Sequence, residues 1–123
     1  MILPLLLAAL WTSPAPRSYY LSASGNDSGD GLSPATAWKS LSRLNETRFR
    51  PGDQILLEGG AVFEGQLRLS GEDEGTAENP VVIDSYGTGR ATILNRDTSG
   101  IIIQDAGGMV LKNLIVKGAE VFQ

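Results

Sequence analysis

Pro51-Gly52-Asp53-Gln54-Ile55-Leu56-Leu57-Glu58-Gly59-Gly60 runs a Gly-Asp turn, a short apolar strand and a second glycine turn together. Comparable segments follow as far as Val116. Leu67 and Leu69 alternate around Arg68, and Val81 and Ile83 follow Pro80 up to the turn Tyr86-Gly87-Thr88-Gly89. Residues 91–94, 100–104 and 109–116 complete the series. Apolar runs of about four or five residues with Gly, Asn or Asp between them predict roughly seven or eight short strands. Both an antiparallel β-sandwich and a parallel β-solenoid accommodate such a series.

Two details favour the solenoid. The run Gly100-Ile101-Ile102-Ile103-Gln104 has neither the Asn-Gly nor the Asp-Gly dipeptide of a tight hairpin. Residues 109–118 read as two strands meeting at Asn113, with Met109, Leu111, Leu114 and Val116 inward and Val110, Lys112, Ile115 and Lys117 outward. An asparagine repeated at such a corner can form a stacked amide ladder.

Upstream, Tyr19-Tyr20-Leu21-Ser22 is rich in β-formers and predicts a first strand. Residues 24–32 hold three glycines and two aspartates and read as loop. Ser33-Pro34 then supplies an N-cap and a first-turn proline. Trp38, Leu41 and Leu44 recur every three residues, which predicts one face of a short helix through Asn45. Pro51-Gly52 bars its continuation. An open solenoid end templates aggregation unless something covers it, and this helix is suited to cap the first rung. No equivalent cap is evident near Val121-Phe122-Gln123, so the domain is expected to be incomplete at its C-terminus.

Composition narrows the chemistry. Of 123 residues, 41% are hydrophobic and 20% charged, which is enough for a core and argues against disorder. A formal net charge of -4, with no basic run in the sequence, argues against nucleic acid as a partner. The chain has no cysteine and no histidine. Disulfides, thiol nucleophiles, Ser-His-Asp triads and imidazole zinc sites are therefore excluded within it.

The first eleven residues, Met1 to Trp11, carry no polar side chain, and Thr12-Ser13-Pro14-Ala15-Pro16 follows. That run is shorter than the roughly 20 residues that span a bilayer. Small Ser13 and Ala15 stand where a signal peptidase reads its substrate. Residues 1–15 are expected to be an export signal, without a membrane span, and residues 19–123 the N-terminal part of the folded domain. The product is then secreted, periplasmic or held at the cell surface.

Tyr19-Tyr20-Leu21-Ser22, Gly25-Asn26-Asp27, Gly31-Leu32-Ser33, Ala37-Trp38-Lys39-Ser40-Leu41 and residues 51–57 together resemble the opening of secreted right-handed parallel β-helix proteins. Glu78-Asn79-Pro80-Val81-Val82-Ile83, Tyr86-Gly87 and Leu111-Lys112-Asn113-Leu114-Ile115-Val116-Lys117-Gly118 extend the likeness over nearly all of residues 19–118. The resemblance implies an all-β fold, the N-terminal coils of a right-handed parallel β-helix with a short capping helix. Its relatives include polysaccharide lyases of the pectate lyase and chondroitinase B types. In those, a Lys or Arg base and calcium-binding acids lie on later coils, and no motif here matches them. Calcium is thus implied for a complete protein, with no site in this chain.

Read from Asp27 as an EF-hand loop, the third, fifth and twelfth positions are Gly29, Gly31 and Trp38, which removes that site. Asp27 and Asp30 fit an Asx-rich turn better than an irregular cation site. Glu72-Asp73-Glu74 reads as a solvated turn rather than a cation cluster. Glu58 and Glu64 flank a turn and have the chemistry of a general acid and base. Lys112 and Lys117 project outward, where a base could take a proton α to a uronate carboxylate, but a solubilising role is simpler. Tyr86 is the nearest candidate for a sugar platform. Gly87-Thr88-Gly89 lacks the later glycine of a dinucleotide loop, since residue 92 is Thr. No catalytic, cofactor-binding or metal residue is assigned.

The expected function is the N-terminal part of an exported β-helix protein acting on polysaccharide, as a lyase or glycoside hydrolase in complete form. A non-catalytic adhesin or carbohydrate-binding scaffold is the alternative, and an antiparallel β-sandwich module the third reading. Export carries its own test. Mass spectrometry of the secreted protein should find a new N-terminus between about Ala9 and Ser18, and an intact Met1 on a cytoplasmic protein would reject the signal.

Overall fold

The computed structural model describes residues 15–71 and 73–118. All but the last residue of the expected export signal lies outside the described residues. The chain is built almost entirely of short strands: β1 (Ser18–Leu21), β2 (Gln54–Glu58), β3 (Val62–Glu64), β4 (Leu67–Leu69), β5 (Val81–Tyr86), β6 (Ala91–Leu94), β7 (Ile101–Ile103), β8 (Met109–Leu111) and β9 (Leu114–Lys117). One helix, α1 (Leu41–Asn45), and a 3₁₀ turn at Pro34–Thr36 lie between β1 and β2.

The strands form three sheets, ordered β1-β2-β5-β8, β3-β6-β9 and β4-β7. Every strand pair among the described residues is parallel. An antiparallel sandwich is thereby overturned, because its hairpins would pair sequential strands in opposite directions. The chain visits the three sheets in a fixed order: β2, β3, β4, then β5, β6, β7, then β8, β9. In the largest sheet Ile55 pairs with Ile83 and Ile83 with Leu111, twenty-eight positions further on each time.

Period-2 alternation explains the core. Tyr19, Ile55 and Ile83 stand in register on one face and are buried, as are Phe63 and Ile93 in the second sheet and Leu67 and Leu69 in the third. Each fully buried Leu or Ile contributes about 1.5–3 kcal/mol. The column ends differently. Leu111 continues below Ile83 yet is 41% exposed, and Val116 below Ile93 is 45% exposed, whereas Ile83 and Ile93 are fully covered. Their inward register matches the expected pattern, and among the described residues no strand pairs with the far edge of β8 or β9.

The other end is sealed, though not by the single helix expected. Ser33 caps only the 3₁₀ turn, its hydroxyl accepting from Thr36 N–H, and Ala37 is already extended. Trp38 then forms a parallel bridge to Leu21, donating to the Tyr20 carbonyl and accepting from Ser22 N–H. Ser40 restarts the chain as a helix by accepting from Arg43 N–H. The helix breaks because the open edge of β1 offers the Trp38 backbone two strand-like hydrogen bonds, which a helical turn there would forgo.

The seal is aromatic. Trp38 stacks on Tyr19 at 5.6 Å between centroids, and Tyr19 meets Phe49 edge-on at 5.3 Å. Arg43 lies 4.2 Å over the indole, whose N–H donates to the Gly29 carbonyl. Leu41 and Leu44 complete the buried set. Gly31 is required here: its φ is +71°, and a Cβ would sit 2.5 Å from the indole. Trp38→Ala should cost about 3–5 kcal/mol in denaturant-induced unfolding. A loss below about 0.5 kcal/mol, the scale of an ordinary surface change, would show that the indole is not the seal.

Candidate functional site

The acids singled out from sequence divide into staples and surface groups. Asp73 is buried; one carboxylate oxygen accepts from Phe49 N–H at 2.9 Å and the other from Ser70 N–H at 3.1 Å. It is neither a solvated turn residue nor a cation ligand. It satisfies two backbone donors where the chain turns and no strand can. Its neighbour Glu74 is exposed, and Glu72 lies outside the described residues. Asp53 repeats the device: it is buried and accepts from Arg17 N–H and Arg50 N–H. The Gly-Asp turn that opens β2 thus ties β2 back to the residue before β1.

Asp27 accepts from Lys39 N–H, Ser40 N–H and the Ser40 hydroxyl. Partial burial acts to raise its pKa, but these hydrogen bonds and the Arg43 charge outweigh it and hold the carboxyl below its ordinary value. Asp30 is held low mainly by the Thr36 hydroxyl, then by Leu32 N–H. The loop reading of residues 24–32 therefore stands, with both aspartates spent on local hydrogen bonds.

Glu58 and Glu64 are not brought into a shared site. Glu58, at the end of β2, accepts from the Ser22 hydroxyl at 3.0 Å and Ala23 N–H at 3.1 Å. Glu64, at the end of β3 in another sheet, forms an exposed ion pair with Arg96 at 3.1 Å. Glu58 instead stands in register with Tyr86, whose ring meets Tyr20 edge-on at 5.2 Å. Burial raises the Tyr86 phenol above its ordinary value; Ser22 opposes this by hydrogen bonding, and the Glu58 and Tyr20 charges reinforce it. Tyr86 is half-buried against Tyr20 rather than presenting a free platform.

Lys112 lies 3.9 Å from Asp84, so it is paired rather than isolated. Asn113 occupies the corner between β8 and β9 with φ +54°, a backbone region asparagine tolerates better than most residues. Its side-chain amide donates to Asp84 at 2.9 Å, not to another asparagine, so the expected amide ladder is replaced by an amide–carboxylate contact. Lys117 is exposed at the end of β9, beside Leu94 in register. Among the described residues no group of three or more Asp or Glu is placed to hold a metal ion.

Sequence reading missed a cationic cluster. Arg17, Arg48 and Arg50 line one cavity of about 220 Å³ with Tyr19, Pro51 and Asp53. The only sequence signal is Arg48-Phe49-Arg50, where a buried Phe separates two exposed arginines. Arg17, more than thirty positions away, arrives only through the pairing of β1 with β2.

No protein-family profile matches the chain. A lacto-N-biosidase of Bifidobacterium longum subsp. longum is 37% identical over 81 residues, which is 64% of this chain but 5% of that protein. Among solved structures, the native GH136 lacto-N-biosidase from Eubacterium ramulus superposes with a TM-score of 0.73 at 30% identity, covering 86% of this chain and 21% of that one. Its selenomethionine derivative gives 0.72 at 29%. The chain thus spans about a fifth of the solved relatives and a twentieth of the curated one. These relatives are glycoside hydrolases, which supports a carbohydrate-active fold. They are named for hydrolysis, so the comparison favours the hydrolase half of the sequence expectation over its lyase half. No helix among the described residues is long and apolar enough to cross a membrane.

The staple role is testable. Asp73→Asn turns an acceptor oxygen into an amide donor facing a backbone N–H, and should cost about 2–3 kcal/mol in chemical denaturation. Glu74→Gln beside it should change stability by less than about 0.5 kcal/mol. Equal effects would reject the distinction.

Proposed function

We propose that the chain forms the capped end of a right-handed parallel β-helix in an exported glycoside hydrolase of the lacto-N-biosidase kind. The observation that carries this reading is the match of 86% of the chain to a solved lacto-N-biosidase at 30% identity and a TM-score of 0.73. The recurring order of sheets and the constant offset in the largest sheet support a solenoid. Its hand follows from the strong preference for right-handed crossovers between parallel strands. The uncovered apolar residues of β8 and β9 support a further rung of the same polypeptide below them.

On this reading the segment nucleates and seals the solenoid, and the cleavage chemistry lies on other coils. Hydrolysis of a glycosidic bond uses two carboxylates: one protonates the leaving oxygen, and the other attacks the anomeric carbon or activates water. They stand about 5–5.5 Å apart in retaining enzymes and about 6.5–9.5 Å apart in inverting ones. Glu58 and Glu64 have separate partners in separate sheets, and Asp53 and Asp73 are committed to backbone donors. Oligosaccharide is the substrate class, and export places the enzyme outside the cytoplasm, where such glycans are met.

A chimera tests the proposal. Residues 16–118 would replace the matching segment of the Eubacterium ramulus enzyme, and release of the aglycone from an aryl β-lacto-N-bioside would be followed. The chimera should keep activity within about tenfold of the parent, while the 123-residue chain alone should have none. A folded but inactive chimera would shift the reading to a non-catalytic carbohydrate scaffold. Hydrolysis by the chain alone would overturn the location of the chemistry.

A further inference from the structure

A groove of about 600 Å³ opens on the loop that follows β1, between residues 22–29 and the turn at residues 34–37. Its volume falls in the range of small-molecule sites, roughly 300–1,000 Å³. The loop is pinned in place. Asn26 N–H donates to the Ala37 carbonyl at 2.9 Å, Gly29 N–H to the Asn26 carbonyl at 3.0 Å and Gly31 N–H to the Thr36 carbonyl at 2.9 Å. Gly25 permits the close approach, since a Cβ there would clash with the Trp38 carbonyl oxygen. The groove is thus tied to the aromatic seal and preformed for a ligand.

The hydrogen bonds already made fix what the groove still offers. Ser22 is buried and its hydroxyl donates to Glu58 at 3.0 Å, which uses its one proton. The 3.2 Å contact between the Ser22 and Ser24 hydroxyls is then donated by Ser24, whose oxygen keeps its capacity to accept. Asn26 accepts through Oδ1 from both the N–H and the hydroxyl of Ser28. That spends the Ser28 proton and leaves the Asn26 amide NH₂ without a partner among the described residues. One donor with two protons therefore stands among two hydroxyl acceptors, beside the exposed apolar residues Pro34 and Ala35.

Charge narrows the ligand further. None of the described residues that line the groove is charged. Two carboxylates are bonded to its walls, Glu58 to the Ser22 hydroxyl and Asp30 to the Thr36 hydroxyl. An anion brought here meets like charge, and a wholly apolar ligand strips water from polar groups without replacing it. A sugar ring fits both demands, because its hydroxyls donate and accept while its C–H face is apolar.

We propose that Ser24, Asn26, Ser28, Pro34 and Ala35 form a binding site for one uncharged pyranose residue of a glycan. The Asn26 amide donates to a sugar hydroxyl, the Ser24 and Ser28 oxygens accept from its neighbours, and the C–H face of the ring rests on Pro34 and Ala35. The choice of a sugar rests on the carbohydrate function proposed above; the demand for a neutral ligand rich in hydroxyls rests on the groove alone. Because the site is at the capped end, it holds glycan to the enzyme and takes no part in bond cleavage.

Saturation-transfer NMR on the 123-residue chain suits the test, since it works with monomer and oligomer alike. Methyl β-D-glucopyranoside and methyl β-D-galactopyranoside are the neutral probes, and methyl β-D-glucuronide is the anionic one. At least one neutral glycoside should receive saturation, and the glucuronide should receive less. Asn26→Asp keeps the acceptor for Ser28 but exchanges the amide donor for a charge, and should weaken the neutral signal about tenfold. Ala35→Trp fills the groove from an exposed position and should abolish the signal. Unchanged circular dichroism would establish that the variants fold. No transfer to either neutral glycoside, or undiminished transfer in Ala35→Trp, would overturn the site. A glucuronide signal equal to the neutral one would overturn the demand for an uncharged ligand. Binding to the chain and hydrolysis by the chimera are read separately, so failure here is distinct from failure of the hydrolase reading.

Discussion

In-register stacking of parallel strands is the constraint on which everything else in this protein depends. A parallel strand satisfies its backbone only through neighbours on both sides; β2 reaches β1 across the helix, and from β2 onward each neighbour arrives a full circuit of the three sheets later in the chain. Tyr19, Ile55, Ile83 and Leu111 therefore form one column, and each member's burial depends on the next. Such a column has two ends. The first is closed by Trp38, Phe49, Leu41 and Leu44; at the other, Leu111 and Val116 remain uncovered. The asymmetry is energetic as well as geometric, since aromatic stacking and an indole hydrogen bond secure one end while the other offers apolar side chains and open backbone edges.

The corners impose a second requirement. Wherever the chain leaves a strand, backbone N–H groups fall out of the ladders and need other acceptors. Asp53, Asp73 and Asp27 meet that need, each taking two or more hydrogen bonds from main-chain or hydroxyl donors. A short carboxylate suits this work because it accepts from several directions at close range. The consequence for function is direct: acids that stand out in the sequence are spent on architecture. The chemistry of a glycosidase, which needs two carboxylates facing one bond, requires groups free of such duties.

Likeness to lacto-N-biosidases adds what the local chemistry does not contain. Residue types alone leave a lyase, a hydrolase and an adhesin open, because all three can be built on a stacked parallel scaffold. The shared fold and 30% identity with a solved hydrolase favour one of them. The chain spans 21% of that enzyme.

Much of the architecture is written in the sequence, because strand and turn signals are local. Glycine turns around residues 51–60, alternation at Leu67 and Leu69, and the inward set at Met109, Leu111, Leu114 and Val116 follow from a period of two and from backbone freedom, both read within a few residues. The burial of Trp38, Leu41 and Leu44 was legible for the same reason. Tertiary structure alone decided that the strands pair in parallel at an offset of twenty-eight, that Trp38 leaves the helix to bridge Leu21, and that Asn113 meets Asp84. It also separated Glu58 from Glu64 and brought Arg17 to Arg48 and Arg50. Each of these outcomes joins residues through space. It depends on which backbone edge is vacant and which side chains the register sets opposite, and neither is encoded in the order of neighbouring residues.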